Sequence, residues 1–288
     1  MNVLSVFDGM SCGQIALNKL GIKYDNYFAS EIDKYAIQVT QKNYPDTKQI
    51  GSVVDVKGVD LPKIDLLIGG SPCQDFSTLK FEREELRGAK SKLFYEYLRL
   101  LKELDPKYWL LENVQMKKES KEHLDEYLGV EGVLIDSNNF TAQNRKRYYW
   151  TNIGIGEVTK RDLLIDDVLD MAVDEKYYCK EHQIKHYKPC RYIQEGETIE
   201  VIDFYNKSIK YKYANCITPH AFRCDRSATN IVRVGNRLRK LTENECERLQ
   251  GVPEDYTKDV ASGQRYKMLG NGWTVDVIAH ILKHINSN

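Results

Sequence analysis

The stretch Asp65-Leu66-Leu67-Ile68-Gly69-Gly70-Ser71-Pro72-Cys73-Gln74-Asp75-Phe76-Ser77 constrains this chain most. Its apolar run is short, ends in two glycines and is followed by a cysteine just beyond a proline. An uninterrupted apolar run of this length is the mark of a buried strand in a parallel sheet, and the carboxyl ends of such strands open onto the crevice where α/β sheets bind ligands. Cys73 is therefore expected to face a site. The chain has seven cysteines, an odd number scattered over 288 residues. Its opening, Met1-Asn2-Val3-Leu4-Ser5-Val6-Phe7-Asp8, lacks the charged leader of a signal peptide. Reduced thiols and a cytoplasmic setting are the expectation, and no segment approaches the roughly 20 apolar residues of a membrane span.

Upstream, residues 3–7 read as a strand, followed by Asp8-Gly9-Met10-Ser11-Cys12-Gly13 and a helix with Ile15, Ala16, Leu17 and Leu20 as its apolar positions, closed by Gly21. Gly9 and Gly13 either bring backbone close to a bound ligand or simply form the turn. A second strand, residues 27–30, delivers Glu31 about 20 residues on, where an acid can accept from both ribose hydroxyls of a nucleoside. A helix over 34–43 stops at Tyr44-Pro45, and residues 48–51 make a brief third strand.

Past the cysteine, residues 77–92 are polar and read either as a loop that closes over substrate or as a solvated connection. A helix over 91–104 carries Leu93, Phe94, Tyr97, Leu98 and Leu101 as a core face. Tyr108-Trp109-Leu110-Leu111-Glu112-Asn113-Val114 is an apolar strand with an acid near its end, so Glu112 is either a working group in the crevice of Cys73 or an acid that merely ends a strand. Strands over 133–136 and 147–151 follow. If Arg145 and Arg147 lie on one strand, both point to the same face, where they could hold anionic or carbonyl oxygens or form a solvated surface.

With 42 Lys+Arg against 42 Asp+Glu, the whole chain has no field that draws it to nucleic acid. Locally the balance differs. Lys207, Lys210, Lys212, Arg223, Arg226, Arg233, Arg237, Arg239 and Lys240 face only Asp225 between residues 205 and 240, with Tyr205, Tyr211, Tyr213 and Phe222 among them. Such a patch fits a phosphate backbone, or is a surface that happens to be basic. Thr242 and Glu245 form a capping box closed by Gly251. Gly270-Asn271-Gly272 precedes a last helix with Val275, Ile278, Ile281, Leu282 and Ile285 on one face, a further place for a ligand to approach backbone. Cys179, His182, His186 and Cys190 have metal-compatible types, but Glu181, Lys185 and Lys188 among them make an exposed helix natural, and no metal is expected.

Together these residues resemble the DNA (cytosine-5) methyltransferases over nearly the whole chain outside 154–237. The resemblance rests on Phe7-Asp8-Gly9-x-x-x-Gly13, Glu31, Ser71-Pro72-Cys73-Gln74, Glu112-Asn113-Val114, Gln143-x-Arg145-x-Arg147, the run from Arg239 to Pro253, and Leu269-Gly270-Asn271-Gly272-Trp273-Thr274-Val275. It is nearest the branch with the animal de novo enzymes and small phage or bacterial ones. It implies an α/β fold, a doubly wound, mostly parallel Rossmann-like sheet with a small irregular target-recognition region. The division implied is 1–153 for the catalytic, cofactor-binding domain, 154–237 for target recognition, and 238–288 for a return to the catalytic domain.

The resemblance further implies S-adenosylmethionine as cofactor, held by Phe7, Asp8, Gly9, Met10, Gly13, Glu31, Ile32, Ser52, Val53, Pro72, Leu93, Asn271, Gly272 and Trp273. One departure concerns Gly51-Ser52-Val53, where the family usually has Gly-Asp-Ile or Gly-Asp-Val and an acid faces the adenine amine. Cys73 is implied as the nucleophile toward cytosine C6, Glu112 as the partner of N3, Arg145 as the holder of the base carbonyl, and Arg147 as more structural. The partner implied is double-stranded DNA, with no membrane and no obligate protein partner. Its contacts are expected from Gln74, Ser77, Lys80, Thr218, Arg223 and Arg226, the last three on or beside the segment 216–223. Two other readings stay open. A non-catalytic DNA-binding relative would lack the cysteine or the glutamate, and a tRNA enzyme would carry Pro-Pro-Cys-Gln-Pro-Phe-Thr in place of Ser71-Pro72-Cys73-Gln74-Asp75-Phe76-Ser77.

Overall fold

The protein is described here as a computed structural model, which covers residues 1–71, 91–184, 199–235 and 237–285. The chain forms two compact units: Met1–Ile135 with Lys146–Glu157 and Val277–Asn288, and Asp136–Arg145 with Val158–Asp276. The sequence-based divisions run differently, because residues 238–276 fall in the second unit and only Val277–Asn288 in the first.

Strands and helices alternate through the first part of the chain: β1 (Asn2–Val6), α1 (Cys12–Lys19), β2 (Asn26–Ser30), α2 (Lys34–Asn43), β3 (Lys48–Gln49), β4 (Leu66–Gly70), α3 (Ser91–Leu104), β5 (Tyr108–Val114), α4 (Lys118–Leu128), β6 (Val133–Asp136) and β7 (Lys146–Thr151). They build a seven-stranded sheet of order β3-β2-β1-β4-β5-β7-β6, with β1 parallel to β2 and β4, β4 parallel to β5, and β7 antiparallel to β5. The α/β reading of the sequence holds. Val3, Leu4, Val6, Leu66, Leu67 and Ile68 are fully buried, which is why β4 reads as an apolar run and β1 as one broken only by Ser5. Phe94, Tyr97 and Leu98 of α3 join the same core, with Leu93 and Leu101 packed at its edge.

The chain leaves β1 toward β2 on one side and β4 toward β5 on the other, so the strand order reverses between these neighbours. Their carboxyl ends diverge there and leave the crevice in which open α/β sheets bind ligands. The sequence placed the first turn and the cysteine stretch on these two strand ends.

Two elements depart from expectation. The third strand pairs only through Lys48 and Gln49, so Ser52 and Val53 lie beyond it, in a turn where Asp55 N–H donates to the Ser52 carbonyl at 3.0 Å. Helix α4 was not anticipated: its sequence is mostly charged, and it buries only Ser120, Leu124 and Leu128. Those positions, four apart, mark one face too narrow to stand out in a polar sequence.

In the second unit, after the short α5 (Glu181–Ile184), β8 (Glu200–Asp203), β9 (Ser208–Lys210), β10 (Ile231–Val234) and β11 (Arg237–Lys240) form an antiparallel sheet of order β11-β10-β8-β9. Helices α6 (Glu243–Gln250), α7 (Ser262–Asn271) and α8 (Val275–Leu282) follow, the last shared between the units. The capping box forms as expected: Thr242 accepts from Glu245 N–H at 3.1 Å, Glu245 accepts from Thr242 N–H at 2.7 Å, and Gly251 caps the other end with φ 69°. Among the described residues, no helix is long and apolar enough to cross a membrane, and no group of three or more His, Cys, Asp or Glu could hold a metal ion. Of the four residues weighed for zinc, His186 and Cys190 lie outside the described residues.

Candidate active site

At the end of β1 the chain turns sharply. Phe7, Gly9 and Ser11 all have positive φ, at 58°, 59° and 63°. Gly9 meets this demand without steric cost, and a side chain at that position would meet nothing within 4 Å, so the turn is open above it. Glu31, at the end of β2, holds the turn in place: one carboxylate oxygen accepts from Gly9 N–H at 2.8 Å, and the other from Ile32 and Asp33 N–H at 2.7 and 2.8 Å. Glu31 stays half-buried, with lone pairs left for a polyol. Ile32 beside it is 77% exposed, a bare apolar platform next to an acid.

Three residues of this turn work from beneath it. The Asp8 carboxyl is buried, accepts from Tyr27 Oη at 2.8 Å and from the Ser11 hydroxyl, and is pushed up to about 6 by desolvation. Met10 is buried at 1% exposure. A Cβ on Gly13 would lie 2.4 Å from Ile68 Cδ1 and 2.8 Å from Tyr27 Oη, so this glycine lets α1 sit on the sheet and does not admit a ligand. Asp8, Met10 and Gly13 thus shape the turn that was expected to lie against the cofactor. Leu93 packs against the core cluster, and Val53 is buried.

The ends of β4 and β5 carry the second group. Glu112 lies in register with Gly70, three residues before Cys73. Its carboxylate, nearly buried, pairs with Arg147 Nε at 3.0 Å. Strand register explains the pair: Glu112 opposes Tyr149 and Val114 opposes Arg147, so Glu112 and Arg147 are diagonal neighbours on one face. Asn113, fully buried, donates to Ser71 Oγ at 2.9 Å and to its carbonyl at 3.3 Å, while its own oxygen accepts from Val114 N–H. This amide ties the two strand ends together just before Pro72-Cys73. The motif containing Asn113 was visible in the sequence, but its role needed the pairing of β4 with β5.

Arg145 does not share a strand face with Arg147. β7 begins at Lys146, and Arg145 belongs to the second unit, where it is buried and its Nη atoms donate to the carbonyls of Ile217 at 3.2 Å, Gly270 at 3.3 Å and Gly272 at 2.8 Å. The guanidinium is committed to backbone carbonyls, while Arg147 is the arginine on the glutamate.

The basic patch is also smaller than its sequence window. Arg239 is wholly buried in a bidentate pair with Glu245 at 2.7 and 2.8 Å, Arg233 is buried against Glu200 at 3.4 Å, and Arg237 pairs with Glu175 at 2.5 Å. All three acids lie outside 205–240, beyond the reach of a window count. Lys207, Lys212 and Arg226 are exposed, and Arg223 and Thr218 are half-buried. Asn271 is exposed, Gly272 half-buried and Trp273 buried, all within the second unit. Cys73, Pro72, Gln74, Ser77, Lys80 and the polar stretch as far as residue 90 lie outside the described residues.

The model of the C-5 cytosine-specific DNA methylase family matches residues 1–287. The type II methyltransferase M.NlaX of Neisseria lactamica is 30% identical over 90% of this chain and 88% of its own length. M1.ScrFI of Lactococcus lactis subsp. cremoris, also a type II methyltransferase, is 30% identical over 89% of this chain and 70% of its own. Among solved structures, the S. pombe Dnmt2 methyltransferase superposes with a TM-score of 0.77 at 20% identity, covering 99% of both chains, which is a likeness of fold. With a strand-end glutamate, its arginine and a nucleoside-sized turn already located, the chain belongs to the C-5 cytosine-specific DNA methylase family.

Proposed function

We propose that this chain transfers a methyl group from S-adenosylmethionine to C5 of a cytosine flipped out of double-stranded DNA. The observation that carries this reading is the Glu112–Arg147 ion pair at a strand end in register with Gly70, three residues before Cys73. Cytosine C5 is a weak nucleophile, and adding a thiolate at C6 makes it a strong one. Cys73 performs that addition, and Glu112 holds a proton at N3, where charge pushed into the ring collects. Arg147 fixes the Glu112 carboxylate and lies on the same sheet face, so it takes the role of facing the base that Arg145 was expected to fill. After transfer the C5 proton is lost to a base and the Cys73–C6 bond breaks, restoring the thiolate. A stacked cytosine offers neither C6 nor N3 to these groups, hence the flipping.

The methyl donor, when bound, supplies an electrophilic methyl on a sulfonium sulfur. The residues present suit it: the open turn over Gly9, the Glu31 carboxylate for ribose hydroxyls, and the exposed Ile32 for a flat base. Ser52, half-buried past β3, offers a hydroxyl where the family's acid would stand. Asp8, Met10 and Gly13 support the turn from below, and Asn271, Gly272 and Trp273 are further residues proposed for the donor. Residues 154–237 act as the target-recognition region, with Thr218, Arg223 and Arg226 toward DNA. Gln74, Ser77 and Lys80 join them from the cysteine stretch. The type II relatives support a setting in which bacterial or phage DNA is marked as self.

Transfer of labelled methyl from S-adenosylmethionine to DNA and to tRNA, with the wild type and Cys73→Ala, tests this reading. Labelled DNA with the wild type and none with Cys73→Ala is expected. Label in tRNA alone, or in neither, overturns it.

A further inference from the structure

We infer that Gln143, Arg145, Tyr266 and Gly270 are positioning residues for sequence reading, and that they present His220 and Phe222 to DNA. The inference rests on the DNA substrate proposed above, and it concerns the second unit alone. The segment that follows Ala214 is stitched to its surroundings through backbone atoms. Ile217 N–H donates to Gln143 Oε1 at 2.8 Å, and the Ile217 carbonyl accepts from Arg145 at 3.2 Å. The other side of the same guanidinium holds the Gly270 and Gly272 carbonyls, and Gln143 Nε2 donates to the Leu249 carbonyl at 3.1 Å. Gly270 has no room for a side chain: a Cβ there would lie 2.3 Å from Thr218 C and Pro219 N. Gly270 thus admits protein backbone.

Tyr266 lies one turn before Gly270 on the same face of α7. Its ring is 6.2 Å from that of Phe222, and its hydroxyl donates to the Leu241 carbonyl at 2.6 Å. Residues 217–222 therefore run along α7, held near both ends. The members left outward are aromatic. His220 is exposed, Phe222 is 39% exposed, and their rings meet edge-on at 6.3 Å. The Arg223 guanidinium lies 6.0 Å from the Phe222 ring, and Arg226 is exposed just beyond. Flat apolar rings stack on bases and neighbouring guanidiniums take phosphates, while reading one sequence against another needs the contacting groups held to about 0.5 Å. A segment fixed by buried hydrogen bonds meets that requirement, and a free loop does not.

The test uses the full chain on a duplex library of random sequence, with methylated sites read by bisulfite sequencing and steady-state kinetics measured on the preferred site. The variants are His220→Ala, Phe222→Ala, Gly270→Ala, Arg145→Lys and, as a control, Met171→Ala at a position 83% exposed. His220→Ala and Phe222→Ala are expected to raise KM for DNA about tenfold and to admit further sequences, with the dissociation constant for S-adenosylmethionine within a factor of two of wild type. Gly270→Ala and Arg145→Lys are expected to loosen the motif in the same way, and Met171→Ala to leave motif and KM unchanged. If either positioning variant fails to fold, the two exposed aromatics decide. An unchanged motif and DNA KM in both His220→Ala and Phe222→Ala overturn the inference while the methyltransferase reading stands. A wild type that labels no DNA removes both.

Discussion

The two arginines of Gln143-x-Arg145-x-Arg147 are a sequence step apart in pattern and serve opposite ends. Arg147 stands on β7, in the regular sheet, and pairs with a carboxylate whose place follows from strand register. Arg145 stands just before that strand and spends its charge on three backbone carbonyls of an irregular region. In the sheet, backbone pairing comes first and side chains fall into position from it. Around residues 217–222 of the second unit the order is inverted: side chains such as Gln143 and Arg145 hold backbone that belongs to none of the strands. A functional group in the first region can be placed by counting along strands. One in the second depends on contacts between residues far apart in the chain.

Breaking one member on each side sharpens this contrast. Glu112→Gln keeps the size of the side chain and its β5 position but loses the carboxyl proposed to act at N3, so kcat should fall by roughly 10²–10⁴-fold with DNA KM little changed, read by steady-state kinetics. A comparable loss of kcat and a large rise in KM together would instead make Glu112 a determinant of the sheet's shape. Arg239→Leu acts on the other side. It leaves the fully buried Glu245 without its bidentate partner, and chemical denaturation should show a loss of about 3–5 kcal/mol. A loss under about 1 kcal/mol would mean that the buried pair does not hold the second unit.

The turn after β1 offers a smaller effect with a definite sign. Burial raises the Asp8 carboxyl to about 6 from an ordinary 3.8. The folded state then binds more protons than the unfolded one between those values, so this group lowers stability as pH rises from about 4 to about 6, by roughly 2–3 kcal/mol. Asp8→Asn keeps an oxygen that accepts from Tyr27 and turns an amide NH2 toward the Ser11 hydroxyl, which then accepts instead of donating, and should flatten that part of the pH–stability profile measured by thermal unfolding. An unaltered slope would show that Asp8 is not the group that titrates. Smallest is Thr242→Ala, which removes half of the α6 capping box and should cost about 1 kcal/mol by the same measurement.

The distinction between the two regions also accounts for what could be read in advance. β1, β4 and β5 were legible because strands buried on both faces are rich in apolar residues, and α3 because its apolar face repeats at the helical period. Glu31 and Glu112 were legible as acids at strand ends. Helix α4 was hidden because Leu124 and Leu128 are too few to stamp a period on a charged sequence. The basic window misled at Arg233, Arg237 and Arg239, whose acids Glu200, Glu175 and Glu245 come from elsewhere in the chain. Arg145 does not share a strand face with Arg147 because alternation applies only inside a strand, and β7 starts one residue later.

The sequence by itself determined the α/β sheet, the turn after β1, the position of Cys73 beyond β4 and the family, since each rests on local pattern: apolar period, glycine placement and short motifs. Only the tertiary structure decided which arginine holds Glu112, why Gly13 and Gly270 must lack side chains, and what fixes the segment before Phe222. Those outcomes are set by hydrogen bonds and steric contacts between residues as much as 127 positions apart, as for Arg145 and Gly272. Their formation depends on the folded backbone, which local sequence pattern does not encode.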